Sequence, residues 1–244
     1  GEEVIRRILT AKVDLLYNGG IGTYVKASSE EDADVGDRAN DRVRVDGSEV
    51  RARVVGEGGN LGFTQRGRLE YAARGGLLNT DAVDNSGGVD MSDHEVNIKI
   101  LMNHLVKKGV VKGGDERNRI LMELTDEVAS LVLADNENQA RAITLDGIRS
   151  AARYDEFVQL IDDMVGAGVL NRDDDAIPTR AELMGGAWKG RALPRPLLAV
   201  LLGHTRQESR HVDERHDWDV ERVAEPHEAR GLDRAVDVEA AREH

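Results

Sequence analysis

The sequence predicts an α/β protein in which part of a parallel, doubly wound sheet is followed by a helical region. Glycines cluster at four places in the first 90 residues, and each cluster follows or ends a short apolar run. A strand, a Gly-rich turn and a helix recur three times within about 95 residues, an order typical of parallel sheets. After residue 92 the apolar residues recur at helical spacing.

The local patterns predict the first elements one by one. In chain order they predict a helix over 3–11, a strand in VDLLYNGG, a strand in EVRARVVGEGGN, a helix in TQRGRLEYAARGG and a short strand in LLNTDAVDNSGG. Thr64 is the expected N-cap of the second helix, and Gly75 or Gly76 its end. In the acidic connector between the first two strands, Ser28 or Ser29 is a candidate cap.

The second half of the chain reads as helical and then loses its pattern. Asp115 is the expected cap of a helix with a shared apolar face from Ile120 to Val132, and a further helix is expected over 154–165. From about residue 204 the apolar periodicity fades, so 204–244 is predicted to be a charged, disordered or aberrant tail. Five of the seven histidines lie in that tail, where a solvated segment is favoured over a metal site.

Composition excludes several classes of function. A formal net charge of −13 argues against binding to a phosphate backbone, and an aromatic content of 3% leaves few platforms for stacking bases. The absence of cysteine excludes disulfides, thiolate metal sites and cysteine nucleophiles. Since no apolar run is long enough to cross a membrane and the first ten residues lack a signal-peptide core, we expect a cytoplasmic protein without membrane partners.

The Gly-rich turns do not match a known phosphate loop. GIGTYV at 20 and GEGGNL at 56 both fail at the third glycine of G-x-G-x-x-G, and G-x-x-x-x-G-K-[ST] is absent. The turns still follow predicted strands, where open α/β sheets bind ligands. The glycines are therefore explained equally well in two ways: they only form tight turns, or they line an edge where a cofactor binds.

The stretch DNSGGVDMSDHEVNIKI, residues 84–100, permits a metal site, an acid/base pair or a helix start. HEVNI departs from the zinc motif H-E-x-x-H because Ile98 occupies the second histidine position, so no metal site is predicted. Ser92 and Glu95 have the spacing of a capping box, with Asp93 in the first turn. A metal-dependent hydrolase that uses Asp90, Asp93 and His94 is the least favoured alternative.

Four segments carry a resemblance to a known family. They are VDLLYNGGIGTYVKAS, VGDRANDRVRVDG, VVGEGGNLGFTQRGRLEYA and GGLLNTDAVDNSGGVDMSDHEVNIKIL. Together they resemble the large-subunit, NAD-specific glutamate dehydrogenases of bacteria, closely over 12–105 and more weakly to about 202. The resemblance implies that 1–105 is the second half of a Rossmann-like NAD-binding domain, that 106–203 is a helical region and that the chain is a fragment.

The same resemblance implies a reaction and the residues that serve it. The reaction is the oxidative deamination of L-glutamate to 2-oxoglutarate and ammonia, a step of amino-acid catabolism in which hydride passes to NAD. The implied cofactor-binding residues are Asn18, Gly58, Gly59, Asn60 and Asn85. The implied substrate-binding residues are Gly88, Val89 and Ser92. Asp93 and His94 follow Ser92 where the wider superfamily has aromatic residues, a departure within the carboxylate pocket.

Some of the family's machinery is expected outside this chain. The resemblance puts the catalytic lysines and aspartate, and the G-x-G-x-x-G turn, upstream of residue 1, so no catalytic residue is assigned here and the isolated chain is expected to be inactive. A homo-oligomer is the expected assembly. The alternative is a non-catalytic binding or scaffolding module, made of half a cofactor domain and a helical region for subunit contacts.

Overall fold

The computed structural model describes residues 1–185 and 188–213, with side chains described to 205, and contacts divide the chain into Gly1–His204 and Thr205–His244. The strands are β1 (Leu15–Asn18), β2 (Val25–Lys26), β3 (Val45–Asp46) and β4 (Val54–Glu57). The helices are α1 (Glu2–Leu9), α2 (Asp32–Val35), α3 (Gln65–Ala73), α4 (Asp81–Asp84), α5 (Ser86–Lys107), α6 (Gly113–Glu123), α7 (Thr125–Ala152), α8 (Tyr154–Gly166), α9 (Arg180–Met184) and α10 (Arg195–Asp213). Two 3-10 turns lie at Arg38–Asn40 and Gly47–Glu49.

The described strands form two small parallel sheets. β1 pairs with β4 and β2 pairs with β3, both in parallel. The third predicted strand is reduced to an isolated parallel bridge between Leu77 and Val54, on the far side of β4 from β1. The α/β class is therefore confirmed with small parallel sheets, and the Rossmann-like arrangement stays a prediction.

Local capping confirms one predicted helix start and corrects another. The Thr64 hydroxyl accepts a hydrogen bond from the Gly67 amide at 2.9 Å, and α3 ends just before Gly75, whose φ is +93°. The cap of α2 is Glu31 instead of Ser28 or Ser29, because the Glu31 and Asp34 side chains each accept from the other's backbone amide.

The capping box at Ser92 and Glu95 is wrong. α5 begins at Ser86, directly after α4, and Ser92 lies inside it with its hydroxyl donating to the Gly88 carbonyl at 3.1 Å. Glu95 forms an ion pair with Lys99 one turn further along α5.

The described part of the second half of the chain is mainly helical, and its helices begin and end at other residues than predicted. Asp115 lies in the first turn of α6, and the cap position belongs to Lys112. The expected continuous apolar face is split because α6 ends at Glu123 and α7 begins at Thr125. The predicted helix over 154–165 is confirmed as α8.

Two apolar cores hold these elements. The first surrounds the small sheets and contains Val25, Val45, Val55, Phe63 and Tyr71. The second lies among α7, α8, α9 and α10 and contains Ile143, Val158, Ile161, Leu183 and Leu197, all fully buried. The Tyr71 hydroxyl donates to the Ala52 carbonyl at 2.7 Å, so the polar end of this core residue is satisfied.

The predicted tail is described only at its beginning. α10 continues to Asp213, and His204 lies 3.1 Å from the Asp175 carboxylate. The rest of that prediction, over 214–244, lies outside the described residues. Within the described part of the chain, none of the helices has both the length and the apolar character needed to span a membrane.

Candidate functional site

Two Gly-rich turns meet at the carboxyl ends of β1 and β4. Asn18 and Glu57 are register partners at the ends of these strands. The Asn18 carbonyl accepts hydrogen bonds from the amides of Gly58 at 2.8 Å and Gly59 at 3.0 Å. The Asn18 side-chain oxygen accepts from the Gly20 amide at 3.2 Å. One asparagine therefore ties both turns together.

The glycines in these turns are needed for close approach. A Cβ added to Gly59 would overlap the Gly20 carbonyl oxygen, and one added to Gly62 would overlap the side-chain nitrogen of Asn18. A Cβ on Gly58 would overlap the Tyr17 hydroxyl. At Gly59 the backbones of the two turns are thus too close for a side chain between them, whereas the close neighbours of Gly58 and Gly62 are side chains.

Asn60 and Asn85 come together across the site. The Asn85 side-chain nitrogen donates to the Asn60 side-chain oxygen at 2.8 Å, although 25 positions separate them. Leu61, next to Asn60, has a φ of 55°, and its amide donates to Asp81 at 2.9 Å. The start of α4, through Asp81, and the junction of α4 and α5, through Asn85, therefore both hold the turn that carries Asn60. All five predicted cofactor-binding residues lie in this connected group.

A buried charge cluster lies behind the turn, and sequence reasoning missed it. Arg68 donates to both oxygens of Glu57, at 2.7 and 2.9 Å, and to Asp81 at 2.8 Å. Glu57 and Arg68 are almost completely buried, and Glu57 also accepts from the Phe63 amide at 3.1 Å. The sequence did contain a signal for this ion pair. Glu57 ends an apolar strand, and Arg68 follows eleven positions later in a helix with one buried face.

Burial and pairing oppose each other in this cluster. Burial raises the pKa of Glu57, while the hydrogen bonds and positive charge of Arg68 act to lower it. Burial acts to lower the pKa of Arg68, but the hydrogen bonds and negative charges of Glu57 and Asp81 raise it above its ordinary value. The guanidinium therefore stays charged and holds two carboxylates in place.

Asp84 connects this edge to the helical region. Its carboxylate accepts from the Glu57 amide at 2.9 Å and from the Asn79 side chain at 2.7 Å. Asn79 in turn accepts from Arg195, at the start of α10, at 2.8 Å. Burial lowers the pKa of Arg195, an effect that the nearby Asp84 charge opposes. Sequence reasoning assigned no role to this relay.

The three predicted substrate-binding residues lie on the first turns of α5. Gly88, Val89 and Ser92 are exposed, and Val89 retains 61% of its surface. Asn85 joins them to the other group, because its carbonyl accepts from the Gly88 amide at 3.2 Å while its side chain donates to Asn60. The structure thus places an asparagine between the two sets of predicted residues.

The sequence is similar to known proteins of one family. Residues 1–146 match the family model described as bacterial NAD-glutamate dehydrogenase, catalytic domain. The chain is 53% identical over 203 residues to the NAD-specific glutamate dehydrogenase of Mycobacterium tuberculosis, covering 83% of the chain and 12% of that protein. The proteins of the same name from Halomonas elongata and Pseudomonas aeruginosa are 48% and 50% identical over 204 residues, or 84% of the chain.

The chain spans only 12–13% of the length of these three relatives. The family match nevertheless covers more than half of the chain and includes every predicted cofactor-binding and substrate-binding residue. The chain belongs to the bacterial NAD-glutamate dehydrogenase family.

Proposed function

We propose that this chain supplies one wall of the NAD and glutamate site of an oxidoreductase that deaminates L-glutamate to 2-oxoglutarate and ammonia. The observation that carries the proposal is the connected group of Asn18, Asn60 and Asn85 at the carboxyl ends of β1 and β4. Ligands of open α/β sheets bind at this kind of edge. The relatives' printed names supply the cofactor and the substrate.

The polar groups at this edge suit the uncharged polar groups of a dinucleotide, such as its ribose hydroxyls and carboxamide. Asn60 is exposed, and its side-chain nitrogen donates no hydrogen bond to any described residue. The side-chain oxygen of Asn85 is likewise left available to accept, so the pair offers one donor and one acceptor. A ribose hydroxyl or a carboxamide would match both groups. The close glycines let a flat ring approach the backbone.

The start of α5 suits a carboxylate. The exposed Ser92 hydroxyl uses its proton within its own helix, and rotation about χ1 would redirect that proton to an anion at small cost. Val89, largely exposed, would contact the aliphatic part of the substrate. NAD held at this wall would supply the hydride acceptor, with Asn60 and Asn85 at its ribose or carboxamide and Ser92 at the substrate carboxylate.

Steady-state kinetics of the intact enzyme test this assignment. In Asn60→Ala we expect KM for NAD to rise roughly ten- to a hundredfold, and in Ser92→Ala KM for glutamate to rise similarly, as for loss of one or two hydrogen bonds. Ser130→Ala is the matched control, because Ser130 is also exposed and donates within its helix, to Asp126 at 2.8 Å. Unchanged KM values in both site variants would contradict the assignment.

A second candidate function is a non-catalytic module in which the helical region mediates contacts between copies. Apolar residues are exposed along α5, α6 and α7. They include Val96, Ile100, Leu101, Met122, Leu131, Leu133 and Ile148. An apolar surface of this kind is typical of a covered interface. Sedimentation of the 244-residue chain would show a concentration-dependent dimer, and calorimetry with NAD would show no binding, if this function alone applies.

A further inference from the structure

Three potential metal ligands converge on the side of α5 that faces α7. Asp90 and His94 lie one turn apart on α5, and Asp135 lies on α7. One ligand atom from each residue lies within 4.8 Å of the other two. The His94 Nε2 atom is 3.5 Å from the nearer Asp90 oxygen. Asp135 lies 41 positions beyond His94 and 45 beyond Asp90, so packing of the two helices completes the cluster.

The cluster contains more negative charge than its described surroundings neutralise. The second oxygen of Asp90 is buried and has no hydrogen-bond partner among the described residues. No lysine or arginine of the described chain forms an ion pair with Asp90 or Asp135. Adjacent carboxylates repel each other, and a buried carboxylate oxygen without a partner is costly. A bound cation would remove both penalties.

We propose that Asp90, His94 and Asp135 bind a divalent transition-metal ion of the Zn²⁺ type and thereby fasten α5 to α7. One imidazole nitrogen and two carboxylate oxygens are ligands that Zn²⁺ accepts, with water completing its coordination. The test for H-E-x-x-H missed these ligands, because it looks for a second ligand four positions after His94, whereas Asp90 lies four positions before it.

The metal site is separate from the proposed substrate site. At 3.6 residues per turn, Ser92 lies about 200° around α5 from Asp90. The Ser92 side chain is exposed, whereas Asp90 and His94 are partly buried towards α7. The proposal therefore does not rest on the proposed dehydrogenase function, and its test needs no activity measurement.

Titration calorimetry with ZnCl₂ on the 244-residue chain tests the proposal. We expect one site in the unmodified chain that weakens by roughly a hundredfold or more in His94→Ala and in Asp135→Asn, since even outer-shell partners contribute ten- to a hundredfold. His104→Ala is the matched control, because His104 lies on the same helix outside the cluster. Binding equal to that of the unmodified chain in both cluster variants would show that other histidines hold the ion.

Thermal unfolding gives an independent readout. Zn²⁺ should raise the Tm of the unmodified chain and of His104→Ala, because an ion that binds only the folded state stabilises it. It should leave the Tm of Asp135→Asn unchanged, and this exposed position makes misfolding of the variant itself unexpected. If Zn²⁺ neither binds at the cluster nor raises the Tm of the unmodified chain, the proposal is overturned.

Discussion

At the scale of single residues, Arg68 has the largest structural role near the site. Its guanidinium joins Glu57, at the end of β4, to Asp81, which holds the Leu61 amide beside Asn60. Arg68 therefore positions the turn without having to contact a ligand. A buried charge of this kind is stable only while its partner remains.

Arg68→Met should lower the free energy of unfolding by about 3–5 kcal/mol, because the buried Glu57 carboxylate loses its counter-charge. Urea unfolding measures the loss. Arg66→Met is the control, since Arg66 is exposed and its ion pair with Asp173 is long, at 4.0 Å. A surface change of this kind should alter the free energy of unfolding by no more than roughly 0.5 kcal/mol. Adding Glu57→Gln to Arg68→Met should recover part of the loss, and an equally unstable double variant would argue against an uncompensated charge as the cause.

A second prediction at this scale concerns the contact between the two turns. Gly59→Ala should destabilise the chain by about 1–3 kcal/mol, because the new methyl group overlaps the Gly20 carbonyl and backbone must move. Gly20→Ala should cost much less, since its Cβ would meet nothing within 4 Å. Urea unfolding of the two variants side by side distinguishes them. Equal losses would mean that the turns are not nested as the structure shows.

At the scale of elements, Ser150 fastens α7 to the segment that precedes α10. Its side chain is fully buried, donates to the Gly147 carbonyl at 2.9 Å and accepts from the Leu193 amide at 3.0 Å. Leu193 itself belongs to the second core, so the hydrogen bond and the apolar packing act on the same segment. Removal of the hydroxyl would leave a buried amide without an acceptor.

Ser150→Ala should therefore lower the free energy of unfolding by about 1–3 kcal/mol. Ser130→Ala, on the same helix, removes a hydroxyl that is exposed and bonded only within its own helix, so its cost should be small. Hydrogen exchange would locate the effect, because protection of the Leu193 amide should fall in Ser150→Ala and not in Ser130→Ala. Unchanged protection in both variants would remove Ser150 from this role.

The contrast between Thr64 and Ser92 shows what the sequence can predict about elements. Thr64 follows a turn and precedes a helix, and its hydroxyl caps α3 as local spacing indicates. Ser92 has capping-box spacing too, but α5 already runs from Ser86 because it continues out of α4. Spacing reports which side chain could cap a helix, whereas tertiary packing decides where the helix begins.

The same limit applies to the candidate site. The family resemblance implied the asparagines and glycines of the two turns, and turns after parallel strands converge at one edge, where the structure places them. Their binding of a cofactor stays a prediction. The Glu57–Arg68–Asp81 cluster was not predicted, since a buried ion pair leaves no periodic signal and its partners lie on a strand, α3 and α4. The pairing of Asp135 with Asp90 and His94 depends likewise on how α7 packs on α5.

At the scale of the whole molecule, acidic residues outnumber basic ones by 46 to 33, and paired carboxylates set the response to acid. Asp162, on α8, accepts hydrogen bonds from Arg180 and Arg172, each at 2.6 Å. The hydrogen bond from Arg180 lowers the pKa of Asp162, the bond from Arg172 and both positive charges act in the same direction, and desolvation opposes them. These contacts join α8 to α9 and to the loop before it.

A folded-state pKa below the unfolded value of about 3.9 means that Asp162 stabilises the folded chain above that pH, and that the contribution is lost as pH falls through the folded-state pKa. Asp162→Asn should therefore unfold at lower urea than the unmodified chain at about pH 6, and the two midpoints should converge towards about pH 2. Asp163→Asn is the control, because this neighbouring carboxylate has no arginine partner in the described chain and accepts from Gln159 instead. A difference for Asp162→Asn that is constant with pH would show that shape, and not charge, accounts for its effect.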